Sequence, residues 1–230
     1  MIKFANFVWI LMNVNSMKIK LLGKNLDELK AIVAEEGLPG FTAKQIAQWL
    51  YVKKVRSIDE MTNLSKVARA RLSEKYEVGV TPYAGLQISS DGTKKYLFPV
   101  KCAHKRGLNV RVEESELEAG AVEAVMIPDD DRATLCVSSQ SGCRMGCRFC
   151  MTGRQGFHGH MSAADIISQF IAVDESDRLT NTVFMGMGEP LDNYENVMRA
   201  IEILTADWGF AWSPKRITLS TIGVVPNLKR

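Results

Sequence analysis

Long hydrophobic runs are missing from this 230-residue chain: no apolar stretch reaches the roughly 18 residues that a membrane-crossing helix needs. The segment Phe4–Met12 resembles a short signal h-region, but only Lys3 precedes it and no A-x-A cleavage pattern follows. Residues 1–16 are therefore expected to be an extension upstream of a second start at Met17. A charge excess is also missing. Lys+Arg 29 against Asp+Glu 26 leaves +3, too little to demand a nucleic-acid partner without a local basic cluster. No internal repeat and no low-complexity tract is present, which excludes solenoids and tail-like segments.

Cysteine is scarce and unevenly spread. Of five, Cys102 and Cys136 stand apart while Cys143, Cys147 and Cys150 crowd into one short stretch. An odd, clustered set argues against a disulfide framework and for a metal or redox site in a reducing compartment. What is present is ordinary: 46% hydrophobic and 24% charged residues describe a globular protein with a sizeable core, in one large domain or two small ones.

The first half reads as helical. Asn25 with Glu28 is a capping-box start for a helix over 25–37, with Leu26, Leu29, Ile32 and Val33 as its stripe and Gly37 as its stop. Thr42 with Gln45 starts a second helix, Ile46, Trp49 and Leu50 facing inward. A third covers 64–76, with Leu64, Val67, Ala68 and Leu72 inward. Asp91-Gly92 between alternating runs then signals a β-hairpin, and strands are expected at 108–113 and 121–127.

Beyond Pro128 the pattern alternates. Strands over 134–138, 182–185 and 216–220 are separated by helices starting near Ser162 and Asn193. Such alternation predicts an α/β fold with parallel strands and helical crossovers, its chemistry on the loops at the carboxyl ends of the strands. Three parallel strands without a return leave an edge that needs cover. On that ground the chain is expected to be C-terminally truncated. The domain reading is an extension (1–16), a helical accessory RNA-binding domain with a hairpin (17–105), connecting strands (106–128) and an incomplete core domain (129–230).

Cys143, Cys147 and Cys150 have the spacing C-x3-C-x2-C on the loop after the first parallel strand. Soft thiolates suit zinc or iron–sulfur. Structural zinc usually takes four protein ligands, and His158 or His160 stands near enough in sequence to make a Cys3His site the bland alternative. The functional alternative is a 4Fe-4S cluster held by three cysteines, its fourth iron open to a small molecule.

This spacing after a first β/α strand resembles the signature of radical S-adenosylmethionine (SAM) enzymes. Further words narrow the likeness: Arg132–Cys143 (RATLCVSSQSGC), Gly153-x-x-Gly156-Phe157, Met185–Leu191 (MGMGEPL) and Leu219–Pro226 (LSTIGVVP). Together they resemble the RlmN family, dual-specificity adenosine C2 methyltransferases of 23S rRNA and tRNA, from about Leu22 to the last residue.

The resemblance implies the first half of a radical SAM partial β/α barrel, preceded by a small helical accessory domain and short antiparallel strands. It implies a 4Fe-4S cluster on Cys143, Cys147 and Cys150, with SAM chelated at the open iron and cleaved to a radical. It makes Gly188 and Glu189 contacts of the methionine end of SAM, and Ser220 a cofactor contact. It makes Cys136 the thiol that resolves a covalent enzyme–RNA adduct, and Glu123 the acceptor of the adenine C2 proton. Taken alone, Cys136 would read as a buried structural cysteine and Glu123 as an exposed strand carboxylate. Cys102 fits neither role and reads as structural.

The family also implies 23S rRNA and tRNA as substrates, an electron donor such as flavodoxin, a cytoplasmic monomer and no membrane. RNA contact would rest on Lys53, Lys54, Arg56, Lys66, Arg69 and Arg71, whose alternative reading is a solvated helix face. One departure is decisive. The family's methyl-carrying cysteine comes from the C-terminal half, and no cysteine follows Cys150 here. These 230 residues alone are therefore expected not to complete the reaction. The related C8 adenosine methylase shares the three motifs, and a non-catalytic iron–sulfur or RNA-binding fragment is the alternative from another class.

Overall fold

The computed structural model describes residues 18–103 and 117–230, without side chains for 101–103 and 117–119. The extension expected over 1–16 and the strand expected over 108–113 lie outside the described residues, as does the side chain of Cys102.

The N-terminal module is helical. A short strand β1 (Ile19–Lys20) leads into α1 (Leu26–Glu35), which carries the expected Asn25–Glu28 capping box. Helix α2 (Thr42–Ala47) has no side-chain cap: Thr42 is buried inside the helix, and backbone bonds from Thr42 to Pro39 and Ala43 to Gly40 build the start instead. It continues as a π-helical turn over Gln48–Val52, ending where Lys54 takes a positive φ of 54°. Helix α3 (Lys66–Lys75) starts at Ser65, whose side chain accepts from Ala68 N. Ala68 and Leu72 set its buried stripe, so Val67, one residue off that stripe, is 78% exposed rather than inward. Strand β2 (Tyr76–Glu77) pairs in parallel with β1.

The rest is built on one six-stranded sheet: β3 (Gly85–Ile88), β4 (Lys94–Ala103), β5 (Leu117–Asp129), β6 (Arg132–Cys136), β9 (Asn181–Phe184) and β10 (Ile217–Leu219). Its order is β10-β9-β6-β5-β4-β3. β10, β9 and β6 run parallel, and β6 to β3 antiparallel. The hairpin turns at Asp91-Gly92, as its residues predict, with Gly92 at φ 84°. β4 and β5 are long rather than short, at 10 and 13 residues. Among the described residues the sheet does not close into a barrel.

A small hairpin follows β6: β7 (Gln140–Gly142) against β8 (Phe157–His160), with the one-turn helix α4 (Met151–Arg154) between them. Helices α5 (Ala163–Ala172) and α6 (Tyr194–Thr205) are the crossovers, and α7 (Val225–Leu228) follows β10. α5 has the expected Ser162–Asp165 capping box and buries Ile166, Ile167 and Phe170.

The two sheet faces differ. Tyr96, Phe98, Val122, Ala124, Leu135 and Phe184 are buried in one core with α5 and α6. The alternate positions lie on the other face, where a row of paired residues crosses the sheet: Lys95, Val125, Cys136, Val183 and Thr218. None of these five is buried. The helical module is fastened to the outer side of the crossover helices. Lys54 Nζ donates to Ser176 O at 2.7 Å and Asp177 Oδ1 at 2.8 Å, Arg56 Nη2 donates to Ile171 O at 2.9 Å, and Arg199 pairs with Glu28. Tyr51 packs against Trp208 and Phe210.

Candidate functional site

Because β6, β9 and β10 are parallel, their carboxyl ends open at one end of the sheet, and every predicted cofactor residue lies on a loop there. The loops are joined by a run of buried polar residues, Ser138 to Ser141. Buried polar groups must be paired, and these are. Ser138 Oγ donates to Glu123 O at 2.6 Å and accepts from Met187 N at 2.8 Å, while Gln169 of α5 holds Ser138 N and O. Asn193 Nδ2 donates to Ser139 O and Met161 O, both at 2.8 Å.

Gln140 is the central link. Its Oε1 accepts from Glu189 N at 2.8 Å, and its Nε2 donates to Asp192 Oδ2 at 2.7 Å and to His160 Nδ1 at 3.0 Å. Gly188 lies so near that an added Cβ would stand 2.5 Å from Gln140 Cβ, and its φ is +100°, so only glycine serves.

The cysteine loop is anchored at both ends: Cys143 N donates to Gly156 O at 2.8 Å and Arg154 N to Cys150 O at 3.2 Å. All three cysteines are free and partly buried. Burial pushes the Cys143 thiol up, and the neighbouring Cys150, Cys147 and Glu189 add to this against a lowering contact from the Met145 backbone. A backbone N–H from Gly153 draws Cys150 down.

Among the described residues, no three His, Cys, Asp or Glu converge closely enough to hold a metal ion as they stand. The donor chemistry nevertheless fits an iron–sulfur cluster: three unpaired thiols on one glycine-flanked loop, with Gly142 and Gly146 at positive φ. His160 and His158 do not join them as fourth ligand. His160 meets Gln140 and Arg144, and His158 Nε2 is 3.1 Å from Gln155 O.

Glu189 is 4% exposed, and its carboxylate is already well occupied. Oε1 accepts from Leu191 N at 3.0 Å and Thr221 Oγ1 at 2.5 Å, and Oε2 accepts from Ile222 N at 3.0 Å. A carboxylate offers about four acceptor positions, so one remains. Ser220 is exposed directly after β10, beside Thr221. Glu123 and Cys136 share the open sheet face, Glu123 nearer the cysteine loop and ion-paired with Lys95 at 3.1 Å. Burial raises the Cys136 thiol, against a backbone contact from Met185.

The basic helix side predicted for RNA is partly consumed. Lys54 and Arg56 fasten the module, Arg69 donates to Asp59 O, Arg71 pairs with Glu36 at 3.3 Å, and Lys53 lies 3.7 Å from the Trp49 ring centroid. Lys66 is exposed. Sequence reasoning missed Gln140, Arg144 and Asp192. A fully buried glutamine beside the cysteine loop carries no signal that the residues alone display.

Comparison with known proteins identifies the family. Residues 137–230 match the model of the radical SAM superfamily, and 19–78 match the ribosomal RNA large subunit methyltransferase N-terminal domain. These matches make this a radical SAM protein, a class that uses a 4Fe-4S cluster and SAM.

A probable dual-specificity RNA methyltransferase RlmN of Porphyromonas gingivalis is 52% identical over 90% of this chain and 54% of its own length. A namesake from Bacteroides thetaiotaomicron is 53% identical over 93% and 57%. The crystal structure of a radical SAM methyltransferase from Sphaerobacter thermophilus superposes with a TM-score of 0.76 at 34% identity, covering 90% of this chain and 58% of that one. The chain belongs to the RlmN family. It spans about half the length of the curated relatives that it matches. No helix among the described residues is long and apolar enough to cross a membrane.

Proposed function

We propose that this chain supplies the cluster-binding and SAM-binding half of a methyltransferase that acts on C2 of adenosine in 23S rRNA and tRNA. The observation that carries the reading is that Cys143, Cys147, Cys150, Gly188 and Glu189 lie on loops at the same end of the sheet, linked through Gln140, with Cys136 and Glu123 on the open face.

Cys143, Cys147 and Cys150 hold the cluster, which together with SAM supplies the radical and the methyl group. Glu189 offers its one remaining acceptor position to the SAM ammonium, a charge-assisted contact, and Ser220 hydrogen-bonds the cofactor. Glu123 accepts the C2 proton as a base held on the open face by Lys95. Cys136 resolves the enzyme–RNA adduct. Its raised pKa keeps it a thiol until a base takes the proton. Residues 17–105 form the accessory RNA-binding part, 106–128 the connecting strands and 129–230 the core. The protein works in the cytoplasm as a monomer and takes electrons from a flavodoxin-like donor.

No cysteine follows Cys150, so these 230 residues do not supply the methyl-carrying thiol. One thiol cannot both carry the methyl and resolve the adduct, which leaves Cys136 a poor substitute. Incubated with reductant, SAM and rRNA or tRNA, the chain is expected to release 5′-deoxyadenosine and no C2-methyladenosine. Nucleoside mass spectrometry checks both. Methylated adenosine above the no-enzyme control would show that Cys102 or Cys136 serves as carrier or that none is needed. Absence of 5′-deoxyadenosine from cluster-loaded protein would refute the radical SAM assignment of these residues.

A further inference from the structure

Two loops must act on one SAM molecule if the function proposed above holds: the cysteine loop at one end, Gly188–Glu189 at the other. They are 38 residues apart in sequence at their nearest members (Cys150 and Gly188), and the residues between run through α4, β8, α5 and β9. What holds their spacing is a side-chain network. Gln140 reaches the Glu189 amide with Oε1 and Asp192 with Nε2. The same Asp192 oxygen accepts from Arg144 Nε at 2.9 Å, and Arg144 follows Cys143 directly. The Arg144 guanidinium lies 4.0 Å from the Phe157 ring centroid, and its Nη2 is 3.3 Å from His160 Nε2.

The Glu189 amide and the Asp192 carboxylate fix the orientation of the Gln140 side-chain amide. Glu189 N–H requires an acceptor, so it takes the Gln140 carbonyl oxygen. Asp192 is a carboxylate, so it takes the Gln140 amide hydrogens, and the same Nε2 then donates to His160 Nδ1. Gln140 is fully buried, so a lost bond here leaves an unpaired polar group with no water to replace it.

We propose that Gln140, acting with Arg144 and Asp192, is a positioning residue that sets the spacing between the cysteine loop and the Gly188–Glu189 loop and thereby tunes SAM affinity. This rests on the SAM-binding reading of those two loops. The competing role is that the three residues merely stabilise the β7–β8 hairpin. In that case substitutions would lower stability or iron content and leave the affinity of loaded protein alone.

The test measures SAM affinity, by calorimetry and by the SAM-induced change in the cluster EPR spectrum, on anaerobically reconstituted chain alongside iron content and thermal stability. Gln140→Glu keeps the size but sets two carboxylates against each other at Asp192. It is expected to keep its iron and to bind SAM about tenfold or more weakly, the scale of one charge-assisted hydrogen bond. Asp192→Asn added to Gln140→Glu removes the facing carboxylate and sets an amide donor against the new one, at the expense of the Arg144 contact, and is expected to recover part of the affinity. Arg144→Met, at a side chain 49% exposed, tests the same link where folding is not at stake, and should weaken SAM binding without loss of iron.

Unchanged SAM affinity in Gln140→Glu and Arg144→Met overturns the proposal and leaves the SAM reading standing. Loss of iron in Gln140→Glu as complete as in Cys143→Ala overturns it too, by making Gln140 a folding residue of the loop. Failure of the unsubstituted, iron-loaded chain to bind SAM at all overturns this proposal and the reading beneath it.

Discussion

Leu135 and Cys136 are neighbours on β6 and face opposite surroundings. Leu135 points into the face covered by α5 and α6 and is fully buried; Cys136 points to the open face, in a row with Val125 and Val183. The strand's two-residue period does this alone. One face is finished by its own helices, so its residues are chosen for volume. The other has no cover among the described residues, so a carboxylate and a lysine stay partly exposed there, and Cys136 is only partly buried. Cys136 and Glu123, the strand residues proposed above for chemistry, therefore sit on the open face, and the packed apolar residues on the covered one.

That contrast can be broken experimentally. The largest effect is expected at Leu135→Ala, which should cost about 2–5 kcal/mol in urea unfolding through the lost burial and the cavity left. Cys136→Ala, one residue on, should stay within about 1 kcal/mol. Equal losses would mean that the open face is as packed as the covered one.

The next contrast lies within the basic side of the helical module. Lys54→Met removes a largely buried ammonium that reaches Ser176 O and Asp177, and should cost about 1–3 kcal/mol in the same assay. Lys66→Met, exposed on α3, should fall within about 0.5 kcal/mol. Similar values for both would show that Lys54 does not fasten the module.

Much of this architecture was legible. Asn25 with Glu28 and Ser162 with Asp165 announced two helix starts, Asp91-Gly92 announced the hairpin, and the alternation after Pro128 announced the parallel strands. These signals are local, because caps and tight turns are made by residues a few positions apart. What stayed hidden is non-local. Gln140 meets Asp192 across 52 residues, Lys54 meets Asp177 across 123, and nothing in either neighbourhood encodes the partner. Thr42 misled because a preceding backbone turn did the work expected of its side chain, and Val67 because Leu64, which would draw the stripe toward it, precedes the helix and leaves Ala68 and Leu72 to set the buried side. Within the site, the cysteine spacing and the Gly-Met-Gly-Glu word were readable, whereas the internal bonds that occupy Glu189 were not.

The smallest effect concerns pH. Glu36 at the end of α1 is held below the ordinary carboxylate range, first by the hydrogen bond from Lys75 and also by Arg71, against the opposing effect of burial. A carboxylate with a lowered folded pKa lends stability above its unfolded value of about 4.3, and that stability is lost as pH falls through the folded value. The melting temperature should therefore drop on acidification below about pH 4, and Glu36→Gln should flatten that part of the profile. An identical acid limb in both proteins would show that the ion pairs at Glu36 contribute nothing.

The central claim is that Cys143, Cys147 and Cys150 form one cluster site while Cys136, seven residues earlier, belongs to the open face and not to the cluster. Iron and acid-labile sulfide analysis with EPR, after anaerobic reconstitution, tests it most directly. The expected result is about four irons and matching sulfide per chain, unchanged in Cys136→Ala and abolished in Cys143→Ala. A stoichiometric zinc site without sulfide, or equal loss of iron in the two variants, would contradict it.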